Sequence, residues 1–244
     1  LEHLHSIADD KGRNRLEVLI RDLSTTALGV LGLEPLDGEP DLDRELRALL
    51  FAAAGTTGND NSVRDLAETI FADSNNGQTT EPNLTAAAIR VVAAAGDEKI
   101  HSEIVDLYRE AQTPQLEVRY LMALLEVEGV SLFKKTLDLF SNEVRTQNAP
   151  YLLGAAMSHR SHGFLAWDLI RDQWEELNKK FPQNSIPRMV GGIRSLSTPQ
   201  LASEIHDFFQ EHPVPQGQLT LDQHLEKLTV NVALGEREGN RIGG

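Results

Sequence analysis

With 244 residues the chain has room for one large or two ordinary domains, and its 40% hydrophobic and 5% aromatic content implies a soluble core of aliphatic side chains. A net charge of −14 argues against nucleic acid or an anionic membrane surface as a partner, since both call for Lys/Arg-rich faces. The absence of cysteine excludes disulfides, thiolate zinc sites and cysteine nucleophiles, and fits a cytoplasmic protein. No stretch reaches the ~18 apolar residues of a membrane helix. Leu1-Glu2-His3 does not open a signal peptide. A chain that starts at Leu1 and stops at Gly243-Gly244 is expected to be a fragment of a longer one.

In chain order, Leu16, Leu19, Ile20, Leu23, Ala27 and Leu31 mark an amphipathic helix. Residues 33–40 and 73–83 have loop composition. Ala- or Gly-rich helices are expected over 46–54, 84–95, 116–125, 150–157 and 187–196. Pro82, Pro114, Pro150 and Pro199 sit where helices begin, and Thr113 and Thr198 stand before two of them as N-caps. Thr220 with Gln223 has the spacing of a capping box, and Gly96, Gly129 and Gly163 are placed as C-terminal caps.

Each small-residue helix is followed by one with apolar positions at i, i+4, i+7 and i+8. The copies are Val63-Ala67-Ile70-Phe71, Ile100-Ile104-Leu107-Tyr108, Leu132-Thr136-Leu139-Phe140 and Leu201-Ile205-Phe208-Phe209. They start 37, 32 and 69 residues apart, so a degenerate copy is expected near Phe164, with Trp167, Ile170 and Trp174. Two-helix units of 32 to 37 residues indicate an all-α fold, an α-α superhelix of the HEAT/armadillo type running as one domain through residues 1–244. The competing reading is an irregular helical bundle.

The chemistry is sparse. No His-Glu-x-x-His occurs; His101-Ser102-Glu103 lacks the second histidine of a zinc helix. His159 and His162 share a spacing of three but lack a third ligand, and read as residues at a helix end. His206 and His212 read as exposed positions around an apolar face. Gly55-Thr56-Thr57-Gly58 is a turn without the lysine of a phosphate loop, and Asp37, Asp41 and Asp43 do not match a calcium loop. Trp167 and Trp174, seven apart, share a helical face that serves as core or as a ligand platform, with core preferred. No catalytic, cofactor-binding or metal residue is assigned.

Several stretches resemble the C-terminal helical, endoplasmic-reticulum-aminopeptidase-like domain of the aminopeptidase N family of zinc metalloaminopeptidases. They are 43–50 (DRELRALL) after 33–39 (LEPLDGE), then Ala166-Trp167-Asp168, Gln173-Trp174-Glu175-Glu176-Leu177 and Phe181, then Ile186-Pro187-Arg188-Met189, Ser197-Thr198 and Asp207-Phe208-Phe209. The pieces keep the family's order over about residues 41–236. The chain departs from the family at His162-Gly163-Phe164-Leu165, where Gly-Arg is common, and in a shortened end from Asn231. The resemblance implies a non-catalytic domain that closes over an active site and shapes the peptide-access chamber. Its implied partners are the catalytic domain of the same chain and a peptide substrate, with zinc held in that catalytic domain and none here. The charge adds the expectation of an acidic chamber wall. The alternative is a stand-alone helical-repeat adaptor that binds a partner protein.

Overall fold

The computed structural model describes residues 2–242. Among them are α-helices and short 3-10 turns, with no strand. In chain order the helices are α1 (Glu2–Ile7), α2 (Asp10–Leu31), α3 (Asp41–Gly55), α4 (Asn61–Asn75), α5 (Pro82–Ala95), α6 (Glu98–Arg109) and α7 (Pro114–Ala123). They continue as α8 (Val130–Asn142), α9 (Ala149–Ala156), α10 (Gly163–Asp172), α11 (Trp174–Lys180), α12 (Ile186–Met189), α13 (Pro199–Glu211) and α14 (Gln218–Glu238). The fold is all-α. The chain divides into two compact units, unit 1 over Asn14–Gly129 and unit 2 from Glu2–Arg13 together with Val130 onward.

Local chemistry sets the helix starts. Pro82, Pro114 and Pro199 open α5, α7 and α13, where a missing N–H costs nothing. Thr113 and Thr198 accept from the Leu116 and Leu201 N–H groups. Asp60, Glu81 and Asp97 cap α4, α5 and α6 in the same way, each taking up N–H groups that a first turn leaves unpaired. The Thr220–Gln223 capping box does not form: α14 already runs from Gln218, so Thr220 lies inside it. Gly96 does end α5, but Gly163 is the first residue of α10 and Gly129 stands directly before α8. The second loop is shorter than its composition suggested, because α4 extends to Asn75 and leaves only 76–81 between helices.

In unit 1, α5 is the centre. It packs on α3 and α4 behind it and on α6 and α7 ahead of it. It is buried nearly all round, by Leu84, Ala87, Ala88, Ile89, Val91 and Val92 among others. A Cβ on Gly55, the last residue of α3, would lie 2.6 Å from Val91, so the α3–α5 approach depends on that missing atom. The inward residues of the two repeat copies follow: Val63, Ala67 and Phe71 on α4 and Ile104 on α6 are buried.

The loop 32–40 is tied down by Arg47. Its guanidinium, fully buried, meets both Glu39 carboxylate oxygens, Nη1 at 2.9 Å and Nη2 at 2.5 Å. Its Nε donates to the Gly32 carbonyl at 2.7 Å, and Nη2 reaches Leu31 O at 3.3 Å. Arg47 thus satisfies carbonyls at the end of α2 that the helix itself cannot. The Arg47 hydrogen bonds hold the Glu39 carboxyl below its ordinary value against the opposing effect of burial, with the charges of Arg47 and Arg44 helping.

In unit 2 the copies on α8 and α13 bury Leu132, Thr136, Leu139 and Phe140, then Ile205 and Phe209. Trp167 and Trp174 are not on one helix, because α10 ends at Asp172 and α11 begins at Trp174. Both are core all the same, at 0% and 6% exposure. Their rings meet Phe208 edge-on at 5.2 and 5.4 Å and also contact Phe209, the geometry that aromatic quadrupoles favour.

Candidate functional site

The residues singled out from sequence do not converge. His101 is buried in α6, while Glu103 accepts a hydrogen bond from Asn75. His159 and His162 do stack, ring centroids 5.1 Å apart, with Phe133 4.6 Å from His159. They lie beyond the end of α9 rather than on its last turn, and His162 immediately precedes α10. The His159 Nδ1 accepts from the backbone N–H groups of Ser161 at 3.1 Å and His162 at 3.0 Å, so that nitrogen shapes the turn. His206 and His212 are half-buried rather than exposed. His206 meets Thr229 Oγ1 at 3.2 Å; His212 stacks on Phe208 at 4.1 Å and its Nδ1 donates to the Phe208 carbonyl. Gly55-Thr56-Thr57-Gly58 is a turn as expected, and a buried one.

Among the described residues no group of three His, Asp or Glu side chains is placed to hold a metal ion. A shallow cleft in unit 2 is lined by Trp174, Glu175, Lys179, Glu211 and His212, carrying both signs of charge.

What the structure does bring together is a set of polar bridges between corresponding positions of successive helix pairs. Tyr151 OH pairs with Arg188 Nη1, and Ser158 Oγ with Ser195 Oγ at 3.0 Å, each across 37 residues. Trp167 Nε1 donates to Glu204 Oε1 at 2.9 Å, and Asn231 Nδ2 to the Arg194 carbonyl at 2.7 Å, again across 37 residues. In unit 1, Arg21 Nη1 donates to Gly58 O at 3.0 Å over the same interval. A hydrogen bond that recurs at one sequence offset means that like positions lie side by side, which is the geometry of stacked repeats. Glu204 also accepts from Arg171; burial works to raise its carboxyl, and the Trp167 and Arg171 hydrogen bonds outweigh that and lower it.

Tyr151, Arg188, Ser158 and Ser195 form the exposed part of this set in unit 2. Two close backbone approaches position them. A Cβ on Gly154 would lie 2.8 Å from Arg188 O, and one on Gly192 would lie 2.1 Å from Gly154 O. These contacts press α9 against α12 and the 3-10 turn Val190–Ser195, so Tyr151 meets Arg188 at one end and Ser158 meets Ser195 at the other. The Arg188 guanidinium also stands 5.2 Å from the Tyr151 ring centre. Nearby in the same row, burial pushes the His224 imidazole down, as does the Arg194 cation, against a hydrogen bond with the Pro187 backbone. The four bridging side chains include one cation and no carboxylate, and they offer donors for carbonyl or carboxylate oxygens. Of these four residues only Arg188 falls in a stretch that the sequence resemblance singles out; the 37-residue offset, which also separates the first two apolar copies, is the signal for the rest.

The family model described as the ERAP1-like C-terminal domain matches residues 1–230. The chain belongs to that family. It is 27% identical over 214 residues to Aminopeptidase M1 of Arabidopsis thaliana, covering 84% of this chain and 24% of that protein. It is 26% identical over 209 residues to Aminopeptidase M1-C of Oryza sativa subsp. japonica, covering 82% and 24%. A third relative is the Alanine/arginine aminopeptidase of Saccharomyces cerevisiae, 24% identical over 193 residues, covering 78% and 22%. The chain therefore spans about a quarter of the length of these relatives, in their C-terminal part. As an ERAP1-like C-terminal domain it accounts for the order of the pieces from Asp43 to Phe209 noted in the sequence.

Proposed function

We propose that this chain is the non-catalytic C-terminal domain of a zinc-dependent aminopeptidase, which closes over the active site and shapes the chamber that admits peptides. The observation that carries this reading is the family match through residues 1–230, joined to relatives that are aminopeptidases and align only over their C-terminal quarter. The two units are taken as one superhelical domain, supported by the family description running through both. The zinc belongs to the catalytic domain of the same polypeptide, where it would activate water for attack on the first peptide bond. This chain's part is to exclude folded proteins and to hold the peptide away from its reacting end. The Tyr151–Arg188 and Ser158–Ser195 pairs are the residues we assign to peptide contact, and an acidic chamber wall would have to come from other positions. The cytoplasm is the proposed compartment, supported by the lack of cysteine.

The test compares the full-length polypeptide with one lacking this stretch, on a chromogenic single-residue amide and on peptides of increasing length. Preference among peptide lengths should be lost on deletion while the zinc site remains loaded. Unchanged length preference would sink the reading. A chain that binds a separate protein tightly, with no upstream catalytic part in its gene, would establish the adaptor instead, and turnover by this chain alone with zinc would make it an enzyme.

A further inference from the structure

Helix α2 carries one broad apolar stripe, and the chain covers only part of it. Leu16, Ile20 and Leu28 are buried at 6%, 4% and 6% exposure. On the adjoining flank of that stripe Leu19 is 44% exposed, Leu23 56% and Val30 86%. Both Leu19 and Leu23 belong to the stripe that the sequence assigned to a single buried face. Residues 23–33 contain no charged side chain, although a quarter of the chain is charged. On α3, in the same unit, Leu42, Leu46 and Leu49 form a second exposed apolar stripe at helical spacing.

An apolar stripe wider than the part its own chain covers calls for a further neighbour. In a stack of helix pairs each pair covers the face of the next, and a pair at a true end carries polar residues outward. The outer side of α2 is not built as such an end. In each relative three quarters of the polypeptide lies outside the matched C-terminal stretch. We infer that the outer side of α2 is a seam covered by an amphipathic helix pair from the part of the same polypeptide that precedes this domain. The proposal rests on the reading of the chain as one part of a longer enzyme. The uncharged surface suits an apolar helix face rather than a charged peptide. A tethered neighbour also needs little intrinsic affinity, because linkage supplies a high local concentration.

These 244 residues contain no cysteine, so a thiol introduced among them is the only one in its own peptide. Leu23→Cys and Val230→Cys, the latter a 52% exposed position on α14, are introduced separately into the full-length polypeptide. Maleimide labelling of each is followed by peptide mass. Labelling at position 23 should be at least tenfold slower than at 230, and should stay so on hundredfold dilution. A benzophenone maleimide at position 23 should cross-link to an upstream helix of its own chain. Equal labelling rates overturn the seam. Protection lost on dilution, or cross-links between chains, also overturn it in favour of a second copy. Aminopeptidase turnover, measured on the same preparations, separates the two claims: a reactive Cys at 23 in an active enzyme defeats the seam alone, and a protected one in an inactive polypeptide defeats the enzyme reading alone.

Discussion

In unit 1 the helices close on small side chains and a buried ion pair; in unit 2 they close on rings that meet edge-on and a hydrogen-bonded carboxylate. Around α5 the contacts are made by Ala87, Ala88, Val91 and Val92, with Arg47–Glu39 tying the loop beside them. Around α10 and α13 they are made by Trp167, Trp174, Phe208 and Phe209, with Trp167 and Arg171 both on Glu204. The contrast teaches that a repeat fixes which positions face inward, not which chemistry fills the gap. Small residues let axes approach, whereas large ones hold them apart and fill the space between.

The comparison can be broken at its strongest point first. Trp167→Ala should cost unit 2 about 3–5 kcal/mol, as loss of a fully buried aromatic does, and it leaves Glu204 with Arg171 alone of these two donors. Both tryptophans lie in unit 2, so the remaining Trp174 fluorescence follows its urea unfolding. A loss below about 1 kcal/mol would remove the aromatic core from the account. In unit 1 the corresponding change runs the other way: Ala88→Leu should cost about 1–3 kcal/mol through overpacking, read from amide exchange along α5. Free tolerance of leucine there would mean that close approach is not what holds this unit.

Acid sharpens the contrast. The His224 imidazole in unit 2 is held below its ordinary value of 6.5, so on acidification the unfolded chain takes up that proton first. Its contribution is full above 6.5 and is lost as pH falls through the lower folded value. Glu39 in unit 1 lies below its ordinary 4.5, so its contribution persists to about that pH and fades only beneath it. Tryptophan-detected stability should therefore begin to fall at a pH where α5 exchange is unmoved, and His224→Gln should flatten the first fall. Simultaneous loss in both units, unaffected by that substitution, counts against the assignment. The smallest effect belongs to the uncovered flank of α2: Leu23→Ala should change stability within about 0.5 kcal/mol in this chain alone, against about 2–5 kcal/mol for Leu28→Ala on the covered face. Similar losses for the two would show that both sides of α2 are already covered.

Much of the helical frame was legible in the sequence. Pro82, Pro114 and Pro199 stand where they were placed, and so do Thr113 and Thr198. Each of the four apolar copies lies on its own helix and buries its second residue, though Ile100, Leu107 and Tyr108 on α6 are only half-buried. The candidate surface was not legible in the same way. Nothing local marks Tyr151 or Arg188, since their pairing exists only when α9 lies against α12. Thr220, Gly163 and Leu23 each match a local rule, yet Thr220 lies inside α14, Gly163 opens α10 and Leu23 is exposed.

The sequence by itself determined the helices, their order and the inward phase of most of them, because caps, prolines and apolar spacing act within one or two turns. Only the tertiary structure decided which side of α2 is covered, that Trp167 and Trp174 sit on different helices, and which polar residues meet across 37 positions. Burial and pairing depend on what another helix brings to the contact, and that information is spread over residues a repeat apart rather than held within any one segment.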